Sequence, residues 1–115
     1  MNKQGHPKDV VLRLLKRSRC RVQVAAVLSD SAGVHAWGWN HEGAGFGEHA
    51  EIACLKRANH KRVAKSVMWV AARRKKSGNI ATAKPCAACW PTVSQCCYIV
   101  FRRKDGEWET CKLSC

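Results

Sequence analysis

Two short stretches decide how this chain folds: His49-Ala50-Glu51 and, further along, Pro85-Cys86-Ala87-Ala88-Cys89. One imidazole and two thiolates are the donors of a zinc site with three protein ligands, and such a site keeps a fourth position open for water. Closed structural zinc sites lack that open position, so the pattern favours a catalytic metal. Water bound there loses a proton near neutral pH. Glu51 lies close enough to move that proton, on too short a tether to be an obvious fourth ligand.

The residues around each motif predict the secondary structure that presents it. Residues 48–61 carry Ile52, Leu55 and Ala58 on one face, which predicts a helix beginning beside His49. Residues 86–94 predict a second helix after Pro85, whose missing N–H is no loss at a helix start. The dipole of that helix would stabilise the two thiolates. The sequence therefore predicts that each motif lies at the N-terminus of a helix.

The rest of the chain predicts strands and one further helix. A helix over residues 9–16 has Pro7 near its start and Asp9 as its cap. Strands are predicted over 20–28, 34–39, 67–72, 98–101 and 108–112, with turns at Asp30-Ser31-Ala32-Gly33 and Asp105-Gly106. A glycine-rich loop covers 41–47. The order α-β-β-α-β-α-β-β predicts an α/β fold: a three-layer, mixed, five-stranded sheet with helices on both faces, as one domain over 1–115.

The composition indicates a folded protein with a polyanionic partner. Of 115 residues, 46% are hydrophobic and three are proline, which argues against disorder. The net charge is +13, from 21 Lys and Arg against 8 Asp and Glu. Such an excess is most easily explained by a polyanionic partner, although a merely soluble basic surface is the alternative. No run of about 20 apolar residues suggests a membrane span, and no secretory leader is expected, so we expect reduced cysteines and a cytoplasmic location.

In its motifs the chain resembles the cytidine deaminase-like superfamily, whose signature is H-x-E…P-C-x-x-C. The residues that carry the resemblance are Gly38-Trp39-Asn40, His49-Ala50-Glu51-Ile52, Leu55, Lys84-Pro85-Cys86-Ala87-Ala88-Cys89 and Ile99-Val100-Phe101. Small phage-type members look most similar. The resemblance implies zinc (Zn2+) bound by His49, Cys86 and Cys89. It also implies Glu51 as the catalytic residue that takes a proton from water and delivers protons to the base and the departing amine.

Several residues near the motifs are candidates for substrate contacts. The resemblance implies that Asn40 contacts the sugar, and an ordinary turn residue is the alternative. Trp37 and Trp39 share one strand face, where stacking on a base and packing in the core are equally expected. We also predict substrate contacts at Ala50, Pro85 and Trp90. His41 and Phe46 flank the pocket or are plain solvent-exposed loop residues.

Two basic clusters follow predicted strands. Arg73-Arg74-Lys75-Lys76 comes after one strand, and Arg102-Arg103-Lys104 comes after another. If these strands are parallel neighbours, both clusters emerge at one sheet edge as a rim for the phosphates of a single strand. Taken alone, either cluster is better interpreted as a run of charged residues exposed to solvent. A third cluster comprises Arg13, Lys16, Arg17, Arg19 and Arg21.

Four further cysteines offer a second metal site. Cys96, Cys97, Cys111 and Cys115 carry suitable donors, but buried free thiols are the favoured interpretation.

Together these features predict a zinc-dependent hydrolase acting on the C–N bond of a cyclic amidine. We expect it to convert cytosine to uracil in single-stranded nucleic acid, with DNA favoured, in a bacterial or phage-infected cell. The sequence leaves open free cytidine or deoxycytidylate, adenosine in RNA, and a zinc-stabilised nucleic-acid-binding module without catalysis. It also leaves open whether the protein is a monomer or a homo-oligomer.

Overall fold

A computed structural model of the chain describes residues 5–41, 48–87 and 89–113. The helices are α1 (Pro7–Leu14), α2 (Ala50–Arg57), α3 (His60–Val63) and α4 (Trp90–Val93), and a 3-10 turn, Leu15–Arg17, extends α1. The strands are β1 (Val22–Asp30), β2 (Gly33–Trp39), β3 (Val67–Arg74), β4 (Ile80–Ala81), β5 (Tyr98–Arg102) and β6 (Trp108–Lys112). None of the helices in these ranges has the length and apolar character needed to cross a membrane.

The strands form one mixed sheet in the order β2-β1-β3-β5-β6. β1 pairs antiparallel with β2 and β3, β5 pairs antiparallel with β6, and β3 pairs parallel with β5. The short β4 pairs with the last part of β3, past the end of its ladder with β5. The predicted α/β fold with a mixed sheet is confirmed, and β4 is an addition to the predicted strands.

An apolar core lies on each face of the sheet, and β1 contributes to both because its side chains alternate. On one face Val27 packs with Val11 of α1 and Leu15 of the 3-10 turn. On the other face Leu28 packs with Cys54 of α2. β1 lies between β2 and β3, so both of its faces are covered and its sequence is almost wholly apolar. Helices thus cover both faces, as the sequence predicted.

The helices differ from the prediction at their ends. The helix predicted over 48–61 is two helices, because Ala58 is extended (φ −79°, ψ 151°) and the side chain of Asn59 accepts a hydrogen bond from the amide of Lys61 at 3.0 Å. α1 is capped by His6, whose ring accepts from the amide of Lys8 at 3.1 Å, and not by Asp9. Asp9 instead lies in the first turn, where its negative charge interacts favourably with the positive end of the helix dipole.

The helix predicted from residue 86 begins only at Trp90. The amides of Cys89 and Trp90 both donate to the carbonyl of Cys86, at 3.0 and 3.1 Å, so a tight turn precedes α4. Pro91 has no amide hydrogen to donate and is tolerated only in the first turn of a helix, which is where it lies. The two cysteines of the motif therefore lie on the turn that leads into α4.

Gly38 is the point at which β2 and α2 touch. A Cβ atom at this position would lie 2.5 Å from the amide nitrogen of Cys54 and 2.8 Å from the carbonyl carbon of Ala53. Both atoms belong to the helix backbone, so no side chain can move aside to make room. The helix that follows His49 reaches its position because residue 38 has no side chain.

We expect Gly38→Ala to push α2 away from the sheet and to weaken zinc binding, since His49 moves with the helix. Overpacking of this kind costs about 1–3 kcal/mol of unfolding free energy. Urea denaturation and zinc titration measure the two effects. Gly78→Ala is the control for backbone strain alone, because its added Cβ meets no atom within 4 Å whereas its φ of +75° strains any residue with a side chain. The control should lose stability and keep the zinc affinity of the wild type. Unchanged zinc affinity in Gly38→Ala would contradict the close contact as the determinant of the position of α2.

Candidate active site

A pocket of about 180 Å³ opens at the end of the sheet where β1 begins and β2 ends. Drug-sized ligands occupy sites of about 300–1,000 Å³, so this pocket suits a single ring. The start of α2 forms one wall and the segment after β4 forms another. The lining residues are Val24, Asn40, His49, Ala50, Glu51, Thr82, Ala83, Lys84 and Cys86.

Three predicted metal ligands meet at this pocket. The donor atoms of His49, Cys86 and Cys89 all lie within 4.8 Å of one another. His49 Nδ1 is 2.9 Å from Cys89 Sγ and 3.6 Å from Cys86 Sγ. Bonds of about 2.0–2.3 Å from zinc to nitrogen and sulfur require donors this close together, and one imidazole with two thiols is a zinc donor set. The residues present therefore fit zinc.

Local backbone structure explains why these side chains meet. His49 is the residue before α2, in an extended conformation (φ −74°, ψ 149°), and its ring makes no capping hydrogen bond to the helix. The ring is therefore available to the cysteines. Cys86 and Cys89 lie on the two sides of the tight turn before α4, of which Cys86 is exposed and Cys89 buried.

The structure describes no second metal cluster. Within residues 5–41, 48–87 and 89–113, His49, Cys86 and Cys89 are the only group of three or more potential ligands that lie this close together. Cys96 is buried and Cys111 half-buried, and neither thiol is disulfide-bonded, whereas Cys97 is disulfide-bonded, so the expectation of a free thiol is wrong there. Cys115 lies outside the described residues.

Glu51 shares the pocket with the metal ligands. Its side chain is buried, with 5% exposure, and lies in the first turn of α2. Burial raises the pKa of the Glu51 carboxyl, while its own backbone amide and His49 oppose the shift. A carboxyl group with a raised pKa exchanges its proton closer to neutral pH, which suits general acid–base chemistry.

The buried thiol of Cys89 needs a cation to become a thiolate. Burial, followed by the charge of Glu51 and contact with Cys86, raises the pKa of Cys89 to about 12. A coordinated metal reverses this preference, because a thiol that ligates a metal is deprotonated. The thiolate form of Cys89 is therefore favoured when a metal is bound.

Asn40 lines the pocket, but its carboxamide is largely engaged by the protein. Its Oδ1 accepts hydrogen bonds from the amide of Val24 (2.9 Å) and the hydroxyl of Ser18 (2.5 Å). Its Nδ2 donates to the carbonyl of Val22 at 2.9 Å. The side chain thus ties the end of β2 to the start of β1, and one of its amide hydrogens has no partner among the described residues. Its contact with a sugar stays a prediction.

The other predicted substrate contacts are placed differently. Ala50 lines the pocket, whereas Trp39, Pro85 and Trp90 do not. Pro85 is buried and Trp90 packs against the core. Trp39 is half-buried and packs against the core that contains Val11, the core alternative of the prediction, with its ring centre 5.7 Å from that of His41. Phe46 lies outside the described residues.

The lining includes residues that sequence reasoning missed. Thr82, Ala83 and Lys84 reach the pocket because β4 pairs with β3 and directs the following segment toward His49. Lys84 stands directly before Pro85-Cys86, so its place in the motif was a signal that it would lie at the site. Thr82 and Ala83 carried no such signal.

The predicted basic rim requires that the strands before the two basic clusters be parallel neighbours, and this condition is met. β3 and β5 are parallel neighbours, with Val70 opposite Phe101, so both clusters emerge at the same end of the sheet. Arg73 and Arg74 belong to β3 itself and not to the following loop.

Some of the charge in the rim is engaged within the protein. Arg73 donates to Gln23 at 2.8 Å, and Arg103 pairs with Asp105 at 2.9 Å. Arg74, Lys75 and Lys76 are exposed, while Arg102 has a buried Nε without a hydrogen-bond partner among the described residues.

Comparisons with known proteins agree with this site. The family model described as the cytidine and deoxycytidylate deaminase zinc-binding region matches residues 4–101, well over half of the chain. A crystal structure of cytidine deaminase from Burkholderia pseudomallei is similar, with a TM-score of 0.73 over 98% of this chain and 94% of that chain. The two sequences are 18% identical, so this likeness supports the fold alone. No curated protein matches the sequence.

Proposed function

Because the chain belongs to the cytidine and deoxycytidylate deaminase zinc-binding family, we propose that it converts cytosine to uracil in single-stranded nucleic acid, with DNA favoured. The observation that carries the reaction type is the cluster of His49, Cys86 and Cys89 beside the buried carboxylate of Glu51. Zinc-dependent deamination follows from the family, and the substrate is the part that we propose.

In the proposed mechanism, His49, Cys86 and Cys89 would hold the metal. Bound zinc would act as a Lewis acid that activates water as a nucleophile near neutral pH. Glu51 would accept one proton from water and deliver it to the ring nitrogen N3 as the oxygen adds at C4. Glu51 would then take the proton of the new hydroxyl group and pass it to the amine, which leaves as ammonia while the C4 carbonyl of uracil forms. One buried carboxyl group performs each proton transfer.

The pocket separates the base from the rest of the substrate. Its volume of about 180 Å³ suits a pyrimidine ring and is small for a whole nucleotide. Ala50 forms part of the wall, Asn40 offers its remaining amide hydrogen, and exposed Lys84 supplies a positive charge beside Cys86. Trp39, Pro85 and Trp90 would contact only the parts of the substrate that lie outside this pocket.

The charge of the protein supports a polymeric substrate. A pocket for one nucleotide needs one or two cations, whereas the chain has a net charge of +13. We propose that Arg73, Arg74, Lys75, Lys76, Arg102 and Arg103 form a rim that contacts the phosphates of a single strand. Free cytidine or deoxycytidylate is the second candidate, because the matching family model is described as that of cytidine and deoxycytidylate deaminases.

We expect faster deamination of cytosine in single-stranded oligonucleotides than of cytidine or deoxycytidylate. Activity on strands should fall steeply as salt rises, since counterions are released on binding. Duplex DNA should be a poorer substrate, because the target base must leave the stack. Mass spectrometry of the products after incubation with each substrate measures all of these rates. An RNA oligonucleotide with one adenosine tests the adenosine alternative.

The same assay separates the remaining candidates. Changing Arg73, Arg74, Lys75 and Lys76 to Ser should slow turnover of strands and spare turnover of free cytidine. Faster turnover of deoxycytidylate with little salt effect would favour a nucleotide enzyme. Strand binding without turnover of any substrate would favour a zinc-stabilised binding module.

A further inference from the structure

A second surface adjoins the zinc pocket at Asn40. We call it the tryptophan surface, and it comprises Lys16, Arg17, Arg19, Trp37, Trp39 and His41. A first hollow, which contains Trp39, shares Asn40 with the zinc pocket. A second hollow, which contains Trp37, shares Arg17 with the first. The zinc pocket and the two hollows therefore adjoin one another along a path that leads away from Glu51 across the 3-10 turn and β2.

The charge along this path is positive. Lys16, Arg17 and Arg19 are exposed, and none of them belongs to an ion pair among the residues that the structure describes. Neither hollow is lined by a described acidic residue. Cations without carboxylate partners, beside a pocket that accepts one base, suit the phosphates on either side of that base.

The path also offers an aromatic surface. Trp37 and Trp39 share one face of β2, opposite Val27 and Ala25 of β1. The guanidinium carbons of Arg17 and Arg57 lie 5.8 and 5.0 Å from the ring centre of Trp39, which places charge on that ring. Trp37 is the one large hydrophobic side chain that is exposed within the described ranges, at 37%.

We propose that the nucleotides next to the target base bind across the tryptophan surface. One base stacks on Trp37, and Lys16, Arg17 and Arg19 hold the phosphates. Aromatic side chains in a positively charged groove are the usual means of binding single strands without sequence preference. The inference rests on the proposed function and names the path that the strand takes out of the pocket.

The test measures binding of a fluorescent single-stranded oligodeoxynucleotide of about 12 nucleotides with one cytosine. Trp37→Ala should weaken binding at least about fivefold, the lower end of what one stacked base contributes. Trp37→Phe should restore most of the affinity, because phenylalanine also presents an aromatic face. Turnover of free cytidine should stay unchanged in both variants, since Trp37 lies outside the zinc pocket.

A charge-matched pair of variants tests the phosphate contacts. Lys16→Ser with Arg19→Ser removes two cations from the tryptophan surface. Lys61→Ser with Lys65→Ser removes two near the start of β3, at the end of the sheet away from the pocket. The first variant should reduce the slope of log affinity against log salt by about 0.7 for each lost phosphate contact. The second should change the slope much less.

The possible failures are distinguishable. If the wild-type protein neither binds nor deaminates single strands, the proposed substrate is wrong and the inference fails with it. If the wild-type protein deaminates strands while Trp37→Ala binds like wild type, the inference alone is overturned. If the two charge variants change the slope of log affinity against log salt equally, the proposed phosphate contacts of Lys16 and Arg19 are overturned.

Discussion

Glu51→Gln should abolish deamination while zinc content and folding stay close to wild type. Glutamine keeps the shape of the side chain but cannot accept a proton and deliver it again, so we expect a loss of at least about 10²-fold in turnover. Because burial raises the pKa of the Glu51 carboxyl, a neutral amide should be accepted there at little cost in stability. Turnover, metal content and thermal denaturation are the three measurements.

Glu48→Gln is the matched control for this prediction. Glu48 precedes the same helix, but its carboxylate pairs with Lys56 at the surface and does not line the pocket. The control should retain wild-type turnover. A rate near wild type in Glu51→Gln would show that another group transfers the protons.

Cys86→Ser should lose zinc and lower stability, and this is the second large effect that we expect. The metal ties the start of α2 to the turn before α4, so its binding free energy becomes folding free energy. With free zinc about a thousandfold above its Kd, this linkage amounts to about 4 kcal/mol. Metal analysis and thermal denaturation measure both losses, and a chelator should bring the wild-type protein to the same stability.

Cys111→Ser serves as the control for the loss of metal. Cys111 is a free, half-buried thiol of β6 and is not part of the metal cluster, so its variant should keep one zinc per chain. Full zinc occupancy in Cys86→Ser would remove Cys86 from the ligand set.

The sequence predicted the features that depend on local pattern. Central strands such as β3 are apolar on both faces, and the turn at Asp105-Gly106 forms where its residues indicate, with Gly106 at φ +90°. The set of metal ligands followed from the match to a known signature, and the chemistry of the donors agrees with it. These features could be predicted from the sequence because each depends on a few residues that are close in the chain, or on donor types that one metal requires.

The features that the sequence did not predict depend on distant contacts. The apolar spacing of the helix over 48–61 continues through Ala58, so periodicity could not reveal the break, and only Asn59 signalled a new helix. Thr82 reaches the pocket through the pairing of β4 with β3. The engagement of Asn40 with the backbone of β1 likewise requires the folded sheet.

The position of the metal ligands in the chain has a consequence for the order of folding. His49 and Cys86 lie on opposite sides of β3 in the sequence, and β3 is the strand that pairs with both β1 and β5. Bringing such distant residues together costs chain entropy, which pairing of the central strands helps to compensate. We therefore expect the complete ligand set to form together with the sheet or after it. A nascent chain that ends before Cys86 lacks two of the three ligands, so we expect it not to acquire the metal.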